Sequence, residues 1–220
     1  MRFWGMVVFG VLGTAILLSL GIWQLQRLAW KQELLRAIES KILAPAVEIP
    51  QTVLPDAHSL LPVRAEGRYK GDTVRVLVSQ KIYGAGYRLI TAFELVDGRT
   101  IMLDRGFTSV RSEMPSTPEG RGQVIGNLQW PQEIDSFTPE NDLAANIWFA
   151  RDVARLAEHL KAEPVLLVLR DSSFETEAAT PLPKMTANIP NDHMNYAITW
   201  FSLALIWLGM SGYFLYRSRD

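Results

Sequence analysis

Among side chains that bind metals or act as bases near neutral pH, the chain offers three histidines and no cysteine. Without thiolates, zinc ribbons, iron–sulfur clusters and CxxxC copper carriers are excluded. His58 stands in a proline-flanked loop, and nothing in the sequence places an acid beside it, so it reads as a surface residue. His159 lies in RLAEHLKAEP, on the wet side of a short helix, and also reads as solvated. Gly84-Ala85-Gly86 lacks the strand–turn–helix context of a phosphate loop, and a hairpin turn explains it. His193 differs from all of these. In NDHMNYAITW it stands at the start of a long uncharged run.

Helical spacing puts His193, Tyr196, Ala197, Trp200, Ala204 and Trp207 on one face. The small residues, with Ser211 below them, form a shallow groove flanked by aromatic rings. Gly10, Thr14 and Gly21 in an N-terminal apolar run are also small, so two helices would pack closely or leave a slot between them. An imidazole above an apolar, aromatic-lined groove suits axial ligation of a haem iron. Asn191, Asp192 or Asn195 is then expected to hold the other ring nitrogen, and Arg27, Lys31 or Lys184 to meet the propionates. The same spacing fits a histidine that merely solvates a helix end, with Trp and Tyr as ordinary interfacial anchors. Spacing leaves both readings open.

The elements that position these residues follow from charge and hydropathy. Residues 3–26 and 193–216 contain no Asp, Glu, Lys or Arg. About 20 residues at 1.5 Å rise cross the roughly 30 Å hydrocarbon layer, so both runs are expected to be transmembrane helices in a lipid bilayer. Trp4, Trp23, Tyr196, Tyr213 and Tyr216 lie toward their ends, as interfacial aromatics do. The first run ends LSLGIWQLQR without a small-x-small cleavage site, which favours a retained anchor over a signal peptide. Two crossings place both termini on one side. The positive-inside rule is split, because Arg217 and Arg219 oppose Arg27, Lys31 and Arg36. A net charge of −1 gives no basic face for nucleic acid.

Between the runs, residues 27–41 continue a helical pattern, and Pro45, Pro50, Pro55 and Pro62 mark a linker, so residues 27–62 form a helical extension and linker. From 63 to 190 the signal is a β-rich domain. TVRVLVSQ (73–80), YRLITAFELV (87–96) and RTIMLDRGF (99–107) predict strands, the last two joined at Asp97-Gly98 as a hairpin. RGQVIGNLQW (121–130) and PVLLVLRD (164–171) add strands, and RDVARLAEHLKA (151–162) predicts a helix capped by Asp152. The fold class is a membrane protein in which two transmembrane α-helices flank a β-rich α+β extracytoplasmic domain.

Four segments resemble the Surfeit-locus family of cytochrome c oxidase assembly proteins, over nearly the whole chain. LGIWQLQRLAWKQELL (20–35) resembles its Gly-x-Trp-Gln-x-x-Arg stretch through Gly21, Trp23, Gln24 and Arg27. GRY (67–69) and LDRGF (103–107) are similar to its strand motifs, with Phe107 where Trp is usual. FTPENDLAANIWFARD (137–152) resembles its Pro-x-Asn…Trp-aromatic segment, with Phe149 where Tyr is common. NDHMNYAITWFSLA (191–204) resembles the family's entry into the second helix; Asp192 and Met194 depart from that pattern, while His193, Tyr196, Ala197 and Trp200 match.

The resemblance implies a non-enzymatic assembly factor that binds haem a and assists its insertion into subunit I of the terminal oxidase, working with haem a synthase. It implies His193 as the iron ligand, Tyr196 and Trp200 as pocket walls, and Trp23, Gln24 and Arg27 as partner contacts. It also implies the inner membrane, with termini cytoplasmic and the central domain periplasmic. A membrane helix that starts at residue 3 leaves no transit peptide, which favours a bacterial source. Two other functions are compatible with the residues: a cofactor-free scaffold that steadies the oxidase subunit or the synthase, and an anchored hydrolase that would have to rely on His58 or His159.

Overall fold

A computed structural model describes residues 2–174, 179–183 and 189–218. The chain divides into two compact units, Met1–Glu39 with Met185–Asp220, and Ser40–Lys184.

The first unit is a pair of helices. Helix α1 runs Arg2–Ile42 without interruption, so the charged stretch after residue 26 extends the apolar one as a single helix. The partner helix is His193–Arg217, called α4 below because two short helices intervene. Both contain apolar stretches long enough to span a bilayer, and most of their large apolar side chains are exposed, as lipid-facing residues are. The protein is a membrane protein with two such helices flanking a β-rich domain.

The helices run antiparallel in close contact. Gly10 lies opposite Ser211, Gly13 opposite Trp207 and Gly21 opposite Phe201. Ala197 and Ala204 are buried along the same seam. A Cβ at Gly21 would stand 2.7 Å from the Phe201 ring, so the absence of a side chain there is what permits the approach. Trp207 Nε1 donates to the Gly10 carbonyl at 3.1 Å. The seam is therefore closed. Of the two possibilities that the small residues allow, close packing is the one adopted at Gly10, Gly13 and Gly21.

The second unit is built on seven strands: β1 (Val47–Glu48), β2 (Pro62–Gln80), β3 (Gly84–Leu95), β4 (Thr100–Ser109), β5 (Gly122–Gln129), β6 (Ile147–Trp148) and β7 (Leu166–Ser172). The hydrogen-bonded order β2-β3-β4-β7-β5 returns to β2, because the first part of β2 pairs with β5 and the remainder with β3. A closed sheet of this kind has few free edges. Within this closed order neighbours are antiparallel except β4 and β7, whose parallel pairing needs a long connection, here one that includes β5, β6 and helix α3 (Val153–Leu160); the two-residue β1 and β6 each pair with β2 in parallel. Helix α2 (Pro55–His58) is a single turn in the proline-marked linker. β2 starts eleven residues ahead of the predicted strand at 73–80, tolerating Pro62 because a first strand residue need not donate to the ladder.

Alternation along the strands sorts the apolar residues into two clusters. Val63, Phe93, Ile101, Leu103, Val124, Leu128, Leu167 and Leu169 fill the barrel interior. Their neighbours Ile90, Met102, Leu166 and Val168 face outward and are covered by Val153, Leu156 and Ala157 of α3, together with Trp148. Each large side chain so buried contributes roughly 1.5–3 kcal/mol. Asp152 caps α3 as predicted, accepting from the Ala154 and Arg155 amides, and Lys161 ends it in the left-handed conformation at φ 52°. The predicted hairpin at Asp97-Gly98 is present, with Gly98 at φ 88°.

Candidate functional site

Residues Gly21, Gln24, Leu28 and Lys31 of α1 recur at spacings of three and four, so they share one face of the helix. Gln24 and Leu28 are buried, and Lys31 donates its ammonium to the Pro190 carbonyl. Into this face comes His193, the first residue of α4. Its Nδ1 lies 2.8 Å from Gln24 Oε1. An amide oxygen only accepts, so Nδ1 is the donor in this contact, which in the neutral ring leaves the lone pair on Nε2. Among the described residues the side-chain hydrogen bond of His193 is made at Nδ1, and none is seen at Nε2.

The structure thus departs from the expectation that Asn191, Asp192 or Asn195 would hold the ring. Asp192 precedes α4 without a side-chain cap bond. Asn191, close to the site in sequence, has a buried Oδ1 with no partner among the described residues. The partner is instead Gln24, 169 positions away. Gln24 is only 8% exposed, so it lies away from the surface that carries Trp23 and Arg27. The Arg27 guanidinium stacks on Trp30 at 4.7 Å from the ring centroid. Tyr196, one turn beyond His193, is 58% exposed, whereas Trp200 is half-buried toward the seam. Lys184 and Arg219 lie outside the described residues.

These residues fit a haem group at one point and restrict it at another. An imidazole with an unengaged Nε2 and a fixed Nδ1–H is the donor that an iron takes. The closed seam rules out a macrocycle between the helices, so apolar walls would have to come from exposed rings such as Tyr196 and from lipid. Arg27 keeps an exposed cation for a carboxylate, while Lys31 is already committed to Pro190.

The barrel unit holds the other polar cluster, which the sequence reading passed over. Asp104 is fully buried and accepts from Arg88 Nε at 2.7 Å, with Arg151 Nη1 at 3.5 Å. Arg88 reaches the Leu182 carbonyl, and Arg151 is paired with Glu133. Burial pushes the Glu133 carboxyl upward, but the Arg151 hydrogen bonds and charge outweigh that and hold it below its ordinary value. LDRGF supplies the pivot. Asp104 Oδ1 accepts from the Gly106 amide, and Gly106 adopts φ 112° where the Thr180 backbone passes too close for any side chain. Two acids and two bases balance here, which reads as structural.

His58 Nδ1 accepts from the Leu54 amide at 2.9 Å, which ties the linker turn. His159 stands edge-on to Trp148 at 5.4 Å beside a cleft of 710 Å³ lined also by Glu140, Asp152, Arg155 and Glu158. Asp152 is occupied as the α3 cap, and among the described residues no three His, Asp or Glu side chains group to hold a metal ion.

Comparison with known proteins gives one consistent answer. The sequence profile of the SURF1 family matches residues 11–205. A SURF1-like protein of Rickettsia prowazekii is 30% identical over 225 residues, covering 95% of this chain and 88% of that protein. Surfeit locus protein 1 of Homo sapiens is 30% identical over 212 residues, covering 84% of this chain and 69% of that protein. A SURF1-like protein of Rickettsia felis is 27% identical over 200 residues.

Proposed function

Because this chain belongs to the SURF1 family, we propose that it is a membrane-anchored, non-catalytic assembly factor for haem-copper cytochrome c oxidase, binding haem a and assisting its insertion into the catalytic subunit. The observation that carries this reading is the His193 imidazole at the end of a membrane helix, bound at Nδ1 and, among the described residues, unengaged at Nε2. Bound haem a would supply an iron centre that takes a nitrogen donor from the protein. His193 offers Nε2 to it, Gln24 orients the ring, and Tyr196 with Trp200 offers aromatic surface alongside. Arg27, exposed on α1, offers a cation to a carboxylate. A carrier must also release what it holds, which suits one protein ligand on the outside of a closed helix pair better than an enclosing pocket.

The reading includes placement in a bacterial inner membrane, termini cytoplasmic and the barrel periplasmic, where subunit I and haem a synthase present their own membrane helices. Trp23 and Arg27, exposed near the end of the first apolar stretch, suit contact with such helices.

The test is an absorption spectrum of the full chain purified from cells that make haem a, beside His193→Ala. The expected result is a haem spectrum in the parent protein and at most a tenth of it in the variant, with unchanged thermal unfolding of the barrel. A second reading, a cofactor-free scaffold, draws on the closed seam between α1 and α4. Colourless preparations of both proteins would establish that reading in place of the first.

A further inference from the structure

Gln24 is the buried polar side chain of the helix pair among the described residues, 8% exposed in a seam lined mainly by small, apolar and aromatic groups. A buried primary amide is costly in lipid-facing surroundings unless its hydrogen bonds are made. Its oxygen is spent on one atom, His193 Nδ1. We propose that Gln24 is the positioning residue of the His193 site: it selects the Nδ1–H tautomer, pins the ring, and makes ligation through Nε2 depend on contact between α1 and α4. This rests on the carrier reading above for its ligand, but the tautomer itself is a property of the chain alone.

First, a free neutral imidazole favours the proton on Nε2, the tautomer that cannot ligate through that atom. An acceptor 2.8 Å from Nδ1 reverses the preference. Second, Gln24 lies between two contacts of α1, Gly21 against Phe201 of α4 on one side and Lys31 on the carbonyl of Pro190, just ahead of α4, on the other. Its amide therefore has little freedom to follow the ring if α4 moves. Third, the acceptor is neutral. A carboxylate in the same place would raise the donor strength of Nε2 further, but it would also put an uncompensated charge in the seam. An amide gives an oriented ligand of intermediate strength. Separating the helices breaks the Nδ1 bond and weakens the ligand, so partner helices that open the seam also favour release.

The experiment is nitrogen NMR of the full chain in bilayer nanodiscs, with ring-labelled histidine, at a pH where the ring is neutral. His193 is assigned by the signal lost in His193→Gln. The expected result is a protonated Nδ1 and an unprotonated Nε2 in the parent, reverting to the Nε2–H form in Gln24→Leu and in Gln24→Asn, whose shorter amide does not reach. Haem a loading in both variants is expected to weaken about 10–100-fold, and Gln24→Glu is expected to lower the midpoint potential of the bound iron relative to the parent. An Nε2–H ring in the parent, or one unchanged by both variants, overturns the proposal even if His193→Ala still loses haem. A parent with the expected tautomer and no haem in any sample leaves Gln24 as the orienting group and overturns the carrier reading instead.

Discussion

In the barrel unit, Asp104 is a fully buried carboxylate gripped by two guanidiniums, whereas in the helix pair the buried polar side chain is the neutral Gln24, facing one imidazole. The barrel buries a large apolar interior against water, and that gain tolerates the desolvation of Asp104 and its two guanidinium partners. Between membrane helices the hydrophobic drive is absent, because lipid tails are as apolar as leucine. Association there rests on close packing and a few hydrogen bonds. Charge is therefore a structural tool in one region and is excluded from the other. Chemistry falls where polarity is scarce, since an imidazole nitrogen with no partner among the described residues stands out beside a largely apolar seam.

Three changes sharpen or break this contrast. The largest effect is expected from Asp104→Ala, which leaves Arg88 and Arg151 buried without their shared acceptor. A loss of about 3–5 kcal/mol in barrel stability is expected, read by denaturant unfolding of the full chain in detergent. A loss under about 1 kcal/mol would mean that the cluster is solvated and the contrast is false. Next is Gly13→Leu, whose side chain would occupy the place of the Trp207 indole and cost about 1–3 kcal/mol of helix packing. With no native cysteine in the way, a Gly10→Cys/Ser211→Cys pair reports the seam by disulfide yield. Gly13→Leu should abolish that disulfide while leaving barrel unfolding untouched, and an unchanged yield would show that the seam is not set by glycine contact.

The smallest effect concerns acid. Glu133 has its folded pKa lowered, so its contribution is complete above the ordinary glutamate value near pH 4.3 and is lost as pH falls through the lower folded value. Its side chain is 37% exposed, so the effect is at most about 1 kcal/mol. Comparing acid unfolding of the parent with Glu133→Gln should show an additional loss below about pH 4 in the parent alone. Superimposable curves would remove Glu133 from the buried cluster.

Much of this architecture is legible in local pattern. The uncharged windows mark both membrane helices, Asp97-Gly98 marks a hairpin, and Asp152 marks the start of α3, because hydropathy, turn preference and capping act over a few residues. LDRGF was visible as a motif, yet its meaning was hidden: Asp104 acquires its role from Arg151, and Gly106 from the backbone at Thr180, both distant in the chain. The signal that pointed toward Gln24 was present too, as a polar residue near the end of the first apolar window, at the depth where an antiparallel second helix begins with His193.

Length, charge and hydropathy were enough to establish two membrane helices around a β-rich domain and to single out His193, since burial in lipid imposes a simple requirement on composition. Which atom holds the ring, which nitrogen is left free, and whether the helices enclose a slot or close on each other all depend on register between segments 169 positions apart. That register comes from how Gly10, Gly13 and Gly21 fit against Ser211, Trp207 and Phe201, a matter of shape in three dimensions that no periodicity along the chain encodes.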